Sequence, residues 1–128
     1  RMAIRIEEQK PEIPVEIGEL KFSFKVTDEA VLGFRKNGLA IADELKNLQI
    51  KPDEEDETAL EKVKEVLRKG FDTILGEGAF EKIYGMTPSV FLLMRYFEQL
   101  ATGLADELKN MGALEVLNQR AEKYLQKK

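Results

Sequence analysis

Pro14-Val15-Glu16-Ile17-Gly18-Glu19-Leu20-Lys21-Phe22-Ser23-Phe24-Lys25-Val26-Thr27-Asp28-Glu29 decides the fold, because the spacing of its apolar residues changes partway along. Up to Val26 apolar and polar residues alternate on both sides of Gly18, with Val15 and Ile17 before it and Leu20, Phe22, Phe24 and Val26 after it. That alternation predicts a β-hairpin with one buried face. From Thr27 the pattern is helical. Thr27 suits an N-cap, Asp28 and Glu29 suit the positive end of a helix dipole, and Val31, Phe34, Gly38, Ile41, Leu45 and Leu48 follow at helical spacing. The prediction is a helix over 28–49. Within it, Gly38 with Ala42 either admits a second backbone closely or is a weak point costing about 1 kcal/mol against alanine.

Outward from that stretch, residues 1–12 read as a flexible N-terminal arm. Ala3-Ile4-Arg5-Ile6 alternates briefly before a polar run interrupted by Pro11, which fits a loosely held arm or an edge strand. In the other direction, the acidic linker Lys51-Pro52-Asp53-Glu54-Glu55-Asp56-Glu57 leads into a helix whose stripe is Leu60, Val63, Leu67, Phe71, Ile74 and Leu75. Gly76-Glu77-Gly78 closes it, and at least one of these two glycines is expected at positive φ. A short helical turn over 79–85 carries Phe80, Ile83 and Tyr84. Thr87-Pro88 then opens a long helix with proline at its first position. The run Val90-Phe91-Leu92-Leu93-Met94-Arg95-Tyr96-Phe97 is apolar around most of its circumference. Such a helix is either the centre of the core or has one face waiting for another chain. The pattern continues through Leu100, Leu104 and Leu108 to a break at Met111-Gly112.

A last amphipathic helix is expected over 113–128, with Leu114, Leu117, Ala121, Tyr124 and Leu125 on one face. Packing on its own domain, packing on a neighbour and fraying all fit. The fold class that emerges is mainly α (α+β): an N-terminal β-hairpin followed by a bundle of about four helices, with 13–128 as one domain. The expected core is Phe22, Phe24, Phe34, Ile41, Leu67, Phe71, Ile74, Phe80, Leu93 and Phe97, each on the apolar face of its element.

The 128 residues fit a single core, and 43% hydrophobic with 34% charged residues is the composition of a folded protein. Histidine and cysteine are absent, so imidazole bases, thiolate nucleophiles, disulfides and the common zinc ligands are unavailable. The twenty-four acids are spread over exposed helix faces, and none sits where a raised pKa is foreseeable. The acidic linker lacks an Asp-x-Asp-x-Asp-Gly calcium loop. Gly76-Glu77-Gly78 lacks the preceding strand and following Lys-Ser/Thr of a phosphate loop. The sequence therefore nominates no catalytic, cofactor-binding or metal-ligating residue. A net charge of −4 and a pI near 5.1, with bases interleaved among acids, argue against nucleic acid. No run approaches the ~20 apolar residues of a membrane span. The start of the chain lacks a secretory signal, so the expected compartment is the cytoplasm.

An echo runs through the helices: Ala42-Asp43-Glu44-Leu45-Lys46-Asn47 recurs as Ala105-Asp106-Glu107-Leu108-Lys109-Asn110. Good helix formers come from a small alphabet, and the flanks match only at Phe34 and Phe97.

A protein–protein role remains. The hairpin Val15-Glu16-Ile17-Gly18-Glu19-Leu20-Lys21-Phe22, a first helix, an acidic linker, Ile74-Leu75-Gly76-Glu77-Gly78-Ala79-Phe80-Glu81-Lys82-Ile83-Tyr84-Gly85 and a long final helix together resemble the tail assembly chaperones of long-tailed phages and prophages of Gram-positive bacteria. The resemblance spans 14–110 and is sharpest at Leu75-Gly76-Glu77-Gly78-Ala79-Phe80. It implies a non-enzymatic protein that binds the tape measure protein, recruits tail tube subunits and is absent from the finished particle. It also implies a frameshifted longer product, for which Lys127-Lys128 fits an adenine-rich slip site. Lysines at a helix C-terminus are equally favoured by the dipole alone. The partner-binding residues expected on this reading are Phe91, Leu92, Tyr96, Leu117 and Tyr124. A small helical interaction or regulatory module unrelated to phage fits the same features, as does a homo-oligomer; a carboxylate-dependent metal enzyme fits them poorly.

Overall fold

The computed structural model describes residues 2–9, 12–49 and 51–114. Strands β1 (Glu12–Ile17) and β2 (Leu20–Lys25) form an antiparallel hairpin in which Val15 faces Phe22 and Ile17 faces Leu20. Gly18 has φ +58° and Glu19 keeps a negative φ, the combination a tight two-residue II′ turn needs. One face carries Ile13, Val15, Ile17, Leu20, Phe22 and Phe24 against the helices. The other pairs Glu12 with Lys25 and Glu16 with Lys21. The strand begins earlier than the sequence predicts, so Pro14 lies inside β1 opposite Ser23. It is tolerated because each strand of a two-stranded sheet has a free edge. Residues 2–9 carry no regular structure, and Met2, Ile4 and Ile6 are exposed.

Thr27 caps the first helix as its sequence predicts, its Oγ1 accepting the Ala30 N–H at 3.2 Å. The single helix expected over 28–49 is instead α1 (Asp28–Gly33), a π-helical turn (Phe34–Gly38) and α2 (Leu39–Lys46), joined without a break in αR backbone. The Leu39 N–H reaches back five residues to the Phe34 carbonyl. Gly38 accommodates side chains rather than another backbone: a Cβ there would meet the Phe34 ring at 2.9 Å and Ile74 at 3.4 Å. The regular helix ends before Leu48, which still packs half-buried against the core.

Three helices follow: α3 (Asp56–Leu75), α4 (Ala79–Met86) and α5 (Val90–Asn110). Counting α1 and α2 as one interrupted helix, the hairpin precedes a bundle of four among the described residues. Gly76 and Gly78 both have positive φ, +106° and +88°, as the corner between α3 and α4 requires. A carboxylate on α3 fixes that corner, because Asp72 Oδ1 accepts the Phe80 N–H at 2.9 Å and so caps α4 from outside it. The start of α5 differs from the prediction. Ser89 is the N-cap, its Oγ accepting the Leu92 N–H at 3.3 Å, and Pro88 stands one residue before the cap. Nine of the ten expected core residues are buried, and Phe22 is half-buried on the same cluster. At its centre Phe71 and Phe97 meet edge to face at 5.3 Å, while Phe24 docks the hairpin onto Phe34 at 6.1 Å. Gly70 makes this possible: a Cβ would lie 2.6 Å from Phe97 and 2.9 Å from Ile41.

Candidate functional site

Helix α5 buries Val90, Leu93, Phe97, Leu100, Ala101, Leu104 and Leu108 in one stripe. At about 100° per residue, Phe91 and Leu92 fall outside that stripe. Phe91 is 71% exposed and Leu92 42% exposed. The Ser89 cap fixes the first turn of α5, so the position from which these side chains project is set by backbone hydrogen bonding. The apolar run over 90–97 is thus core on one side and uncovered on the other.

Phe91 borders a recess of about 370 Å³ that the fold assembles from three elements: Leu60 near the start of α3, Tyr84 on α4, and Pro88 before α5. Leu60, expected on the buried stripe of its helix, is one of the exposed apolar residues. The α3 stripe turns toward Val66 and Gly70 in its place. Glu57, Glu61 and Lys64 rim the recess. Tyr84 stacks on Phe80 at 5.6 Å, and Lys64 lies over the Tyr84 ring at 4.5 Å. The Tyr84 side chain beside it is the chief reason the Lys64 ammonium is held above its ordinary pKa. Next along α3, Arg68 covers the Phe80 ring at 4.7 Å and pairs with Glu81, and that hydrogen bond pushes the guanidinium pKa up. These cations are strapped across the α3–α4 seam and leave the apolar surface of Phe91 uncovered.

Tyr96 belongs to a different place. It lines a groove of about 620 Å³ between β1 and α5, with Ile13, Val15 and Ile17 on one wall and Leu100 and Leu104 on the other. A third groove, about 480 Å³, runs between α2 and α5 over Leu39, Ala42, Met94, Ala101 and Ala105. Asp43, Glu98 and Asp106 stand along its edge with Lys46. The two copies of the sequence echo meet here: Ala42 and Asp43 face Ala105 and Asp106 across the groove, with buried Leu45 on its wall. Of the residues expected to bind a partner, the structure leaves Phe91 and Leu92 exposed together, separates Tyr96 from them, and leaves Leu117 and Tyr124 outside the described residues. Sequence reasoning missed Leu60, Tyr84 and Pro88 as neighbours of Phe91. Each comes from a separate element, and no local spacing joins them.

Among the described residues no group of three or more acidic side chains lies where it could hold a metal ion, and no helix is long and apolar enough to cross a membrane. Among the described residues Glu54 is the one carboxylate displaced from its ordinary pKa. Its hydrogen bond with Lys62 holds it below the ordinary carboxylate range. It sits in the linker before α3, apart from any of the grooves.

The chain belongs to a family of unknown function, DUF6673, whose model matches residues 18–128. No curated protein and no solved structure matches it significantly.

Proposed function

We propose that this member of the DUF6673 family is a non-enzymatic phage or prophage tail assembly chaperone that binds a helical segment of the tape measure protein and recruits tail tube subunits. The observation that carries the binding half is Phe91: a large aromatic side chain, 71% exposed on a capped helix start, beside a recess made by Leu60, Tyr84 and Pro88. Aromatic anchors near such recesses are the usual centres of helix-in-groove interfaces. The choice of partner rests on the resemblance of the hairpin, linker and Leu75-Gly76-Glu77-Gly78-Ala79-Phe80 segment to that chaperone family. The net charge of −4 suits a protein that keeps an apolar client soluble.

Co-expression tests the reading. A tape measure protein from a phage or prophage that carries this chain is produced alone and together with it. The expected outcome is a rise in the partner's solubility and a complex on gel filtration. Phe91→Glu combined with Leu92→Lys should abolish the complex while the circular dichroism spectrum and melting temperature of the chain stay unchanged. No complex, with the partner's solubility unchanged, would replace the chaperone by a helical interaction module unrelated to phage. Unfolding of the double variant would move the contact surface elsewhere.

A further inference from the structure

We propose that the groove between α2 and α5 is a seat for the chain's own residues 113–128. This does not depend on the proposed function, since it concerns a different face of α5. Four observations point the same way. First, Gly112 follows α5 with φ +79° and its N–H bonds the Lys109 carbonyl, so α5 ends there and the chain turns off its axis. Second, Ala113 and Leu114, the first residues after that turn, already pack half-buried against the core cluster. Third, the sequence beyond them carries Leu117, Ala121, Tyr124 and Leu125 at helical spacing, the apolar stripe a groove between two helices would accept. The small side chains of Ala42, Ala101 and Ala105 on its walls permit close helix approach. Fourth, the charges complement one another. Arg120, Lys123, Lys127 and Lys128 outnumber Glu115 and Glu122 in the segment, while Asp43, Glu98 and Asp106 outnumber Lys46 at the groove.

The lengths agree as well. In helical form 113–128 would be roughly 24 Å long, and the α5 wall from Met94 to Asp106 runs roughly 18 Å. An antiparallel return would bring Arg120 level with Asp106 and Lys127 level with Glu98. On this arrangement Leu117 and Tyr124 would face their own domain, leaving Phe91 and Leu92 as the outward surface of α5.

The absence of cysteine makes the test direct. Ala105 faces the α2 side of α5, whereas Gly103 lines the groove toward β1. Two double variants of the full chain, Ala105→Cys with Ala121→Cys and Gly103→Cys with Ala121→Cys, are oxidised under identical conditions and resolved by non-reducing electrophoresis and gel filtration. The expected result is an intramolecular disulfide in the first pair, forming about tenfold faster than in the second, because docking raises the local thiol concentration. Adding Asp43→Lys and Asp106→Lys should slow it. Three results would overturn the proposal: equal or faster closure of the Gly103 pair, a disulfide only between two chains, or a rate indifferent to the charge reversal.

Discussion

The two sides of α5 carry the same kinds of side chain and meet opposite fates. Phe97 is fully buried, crossing Phe71 edge to face over Gly70, whereas Phe91, six residues earlier on the same helix, is 71% exposed. Composition does not separate them. What separates them is the phase of the helix against α3, fixed by where the Ser89 cap starts it and by where Gly70 lets it come close. An apolar run therefore reports how much surface a segment offers and leaves open how much of it the fold uses.

The comparison breaks most visibly at its buried end. Phe97→Ala and Phe71→Ala should each cost roughly 3–5 kcal/mol, the lost transfer energy plus an unfilled cavity, read from urea denaturation. A cost below about 1 kcal/mol for both would mean that α5 does not pass through the core. Gly70→Ala comes next. Alanine gains about 1 kcal/mol of helix propensity over glycine. Here its Cβ would sit 2.6 Å from Phe97, so the net effect should be a loss of roughly 1–3 kcal/mol from overpacking. A stabilised Gly70→Ala variant would show that Phe97 has room to move.

Much of the fold was legible. The alternation around Gly18, the cap at Thr27, the aromatic core and the positive φ of Gly76 and Gly78 are all written in residues close together in the chain. The features that escaped are meetings between distant residues. Gly70 has no local pattern that marks its role, which comes from Phe97 and Ile41 arriving over it from two other helices. The π turn ending at Gly38 depends on packing that includes Ile74, and Pro88 looked like a first helical residue because the Ser89 hydroxyl bond is invisible in a pattern of types. The candidate surface was half legible: the offset of Phe91 and Leu92 from Leu93 and Phe97 placed them outside, while Leu60, Tyr84 and Pro88 became their neighbours only through the α3–α4 corner.

That corner supplies a smaller effect. Asp72→Ala removes the carboxylate that caps α4 through the Phe80 N–H, and should cost about 1 kcal/mol in the same denaturation series. Because Tyr84 rides on α4, the loss should also lower partner affinity, which an unrelated stability defect at the hairpin would not do. If Asp72→Ala is neutral, the Gly76–Gly78 turn alone holds α4.

Acidification probes the linker. Glu54 is held below the ordinary carboxylate range chiefly by its hydrogen bond with Lys62. A carboxyl with a lower pKa when folded than when unfolded contributes its stability above the ordinary range, and that contribution fades as pH falls through the depressed value. Glu54→Gln should thus be less stable than the parent chain near neutrality, and the gap should close on acidification. A gap that stays constant with pH would mean the side chain matters for packing and not for charge.

The smallest expected change in stability is at the exposed end. Phe91→Ala removes as many atoms as Phe97→Ala, yet most of its ring already faces water, so folding gains little from it and the cost should stay within about 0.5 kcal/mol. Binding should respond in the reverse order, with Phe91→Ala weakening the partner complex about tenfold or more if the ring is its anchor. Truncation at Leu92, more covered than Phe91, should fall between the two in stability. A Phe91→Ala variant that unfolds readily while binding normally would invert the comparison and place the recess at Leu60, Tyr84 and Pro88 inside the core.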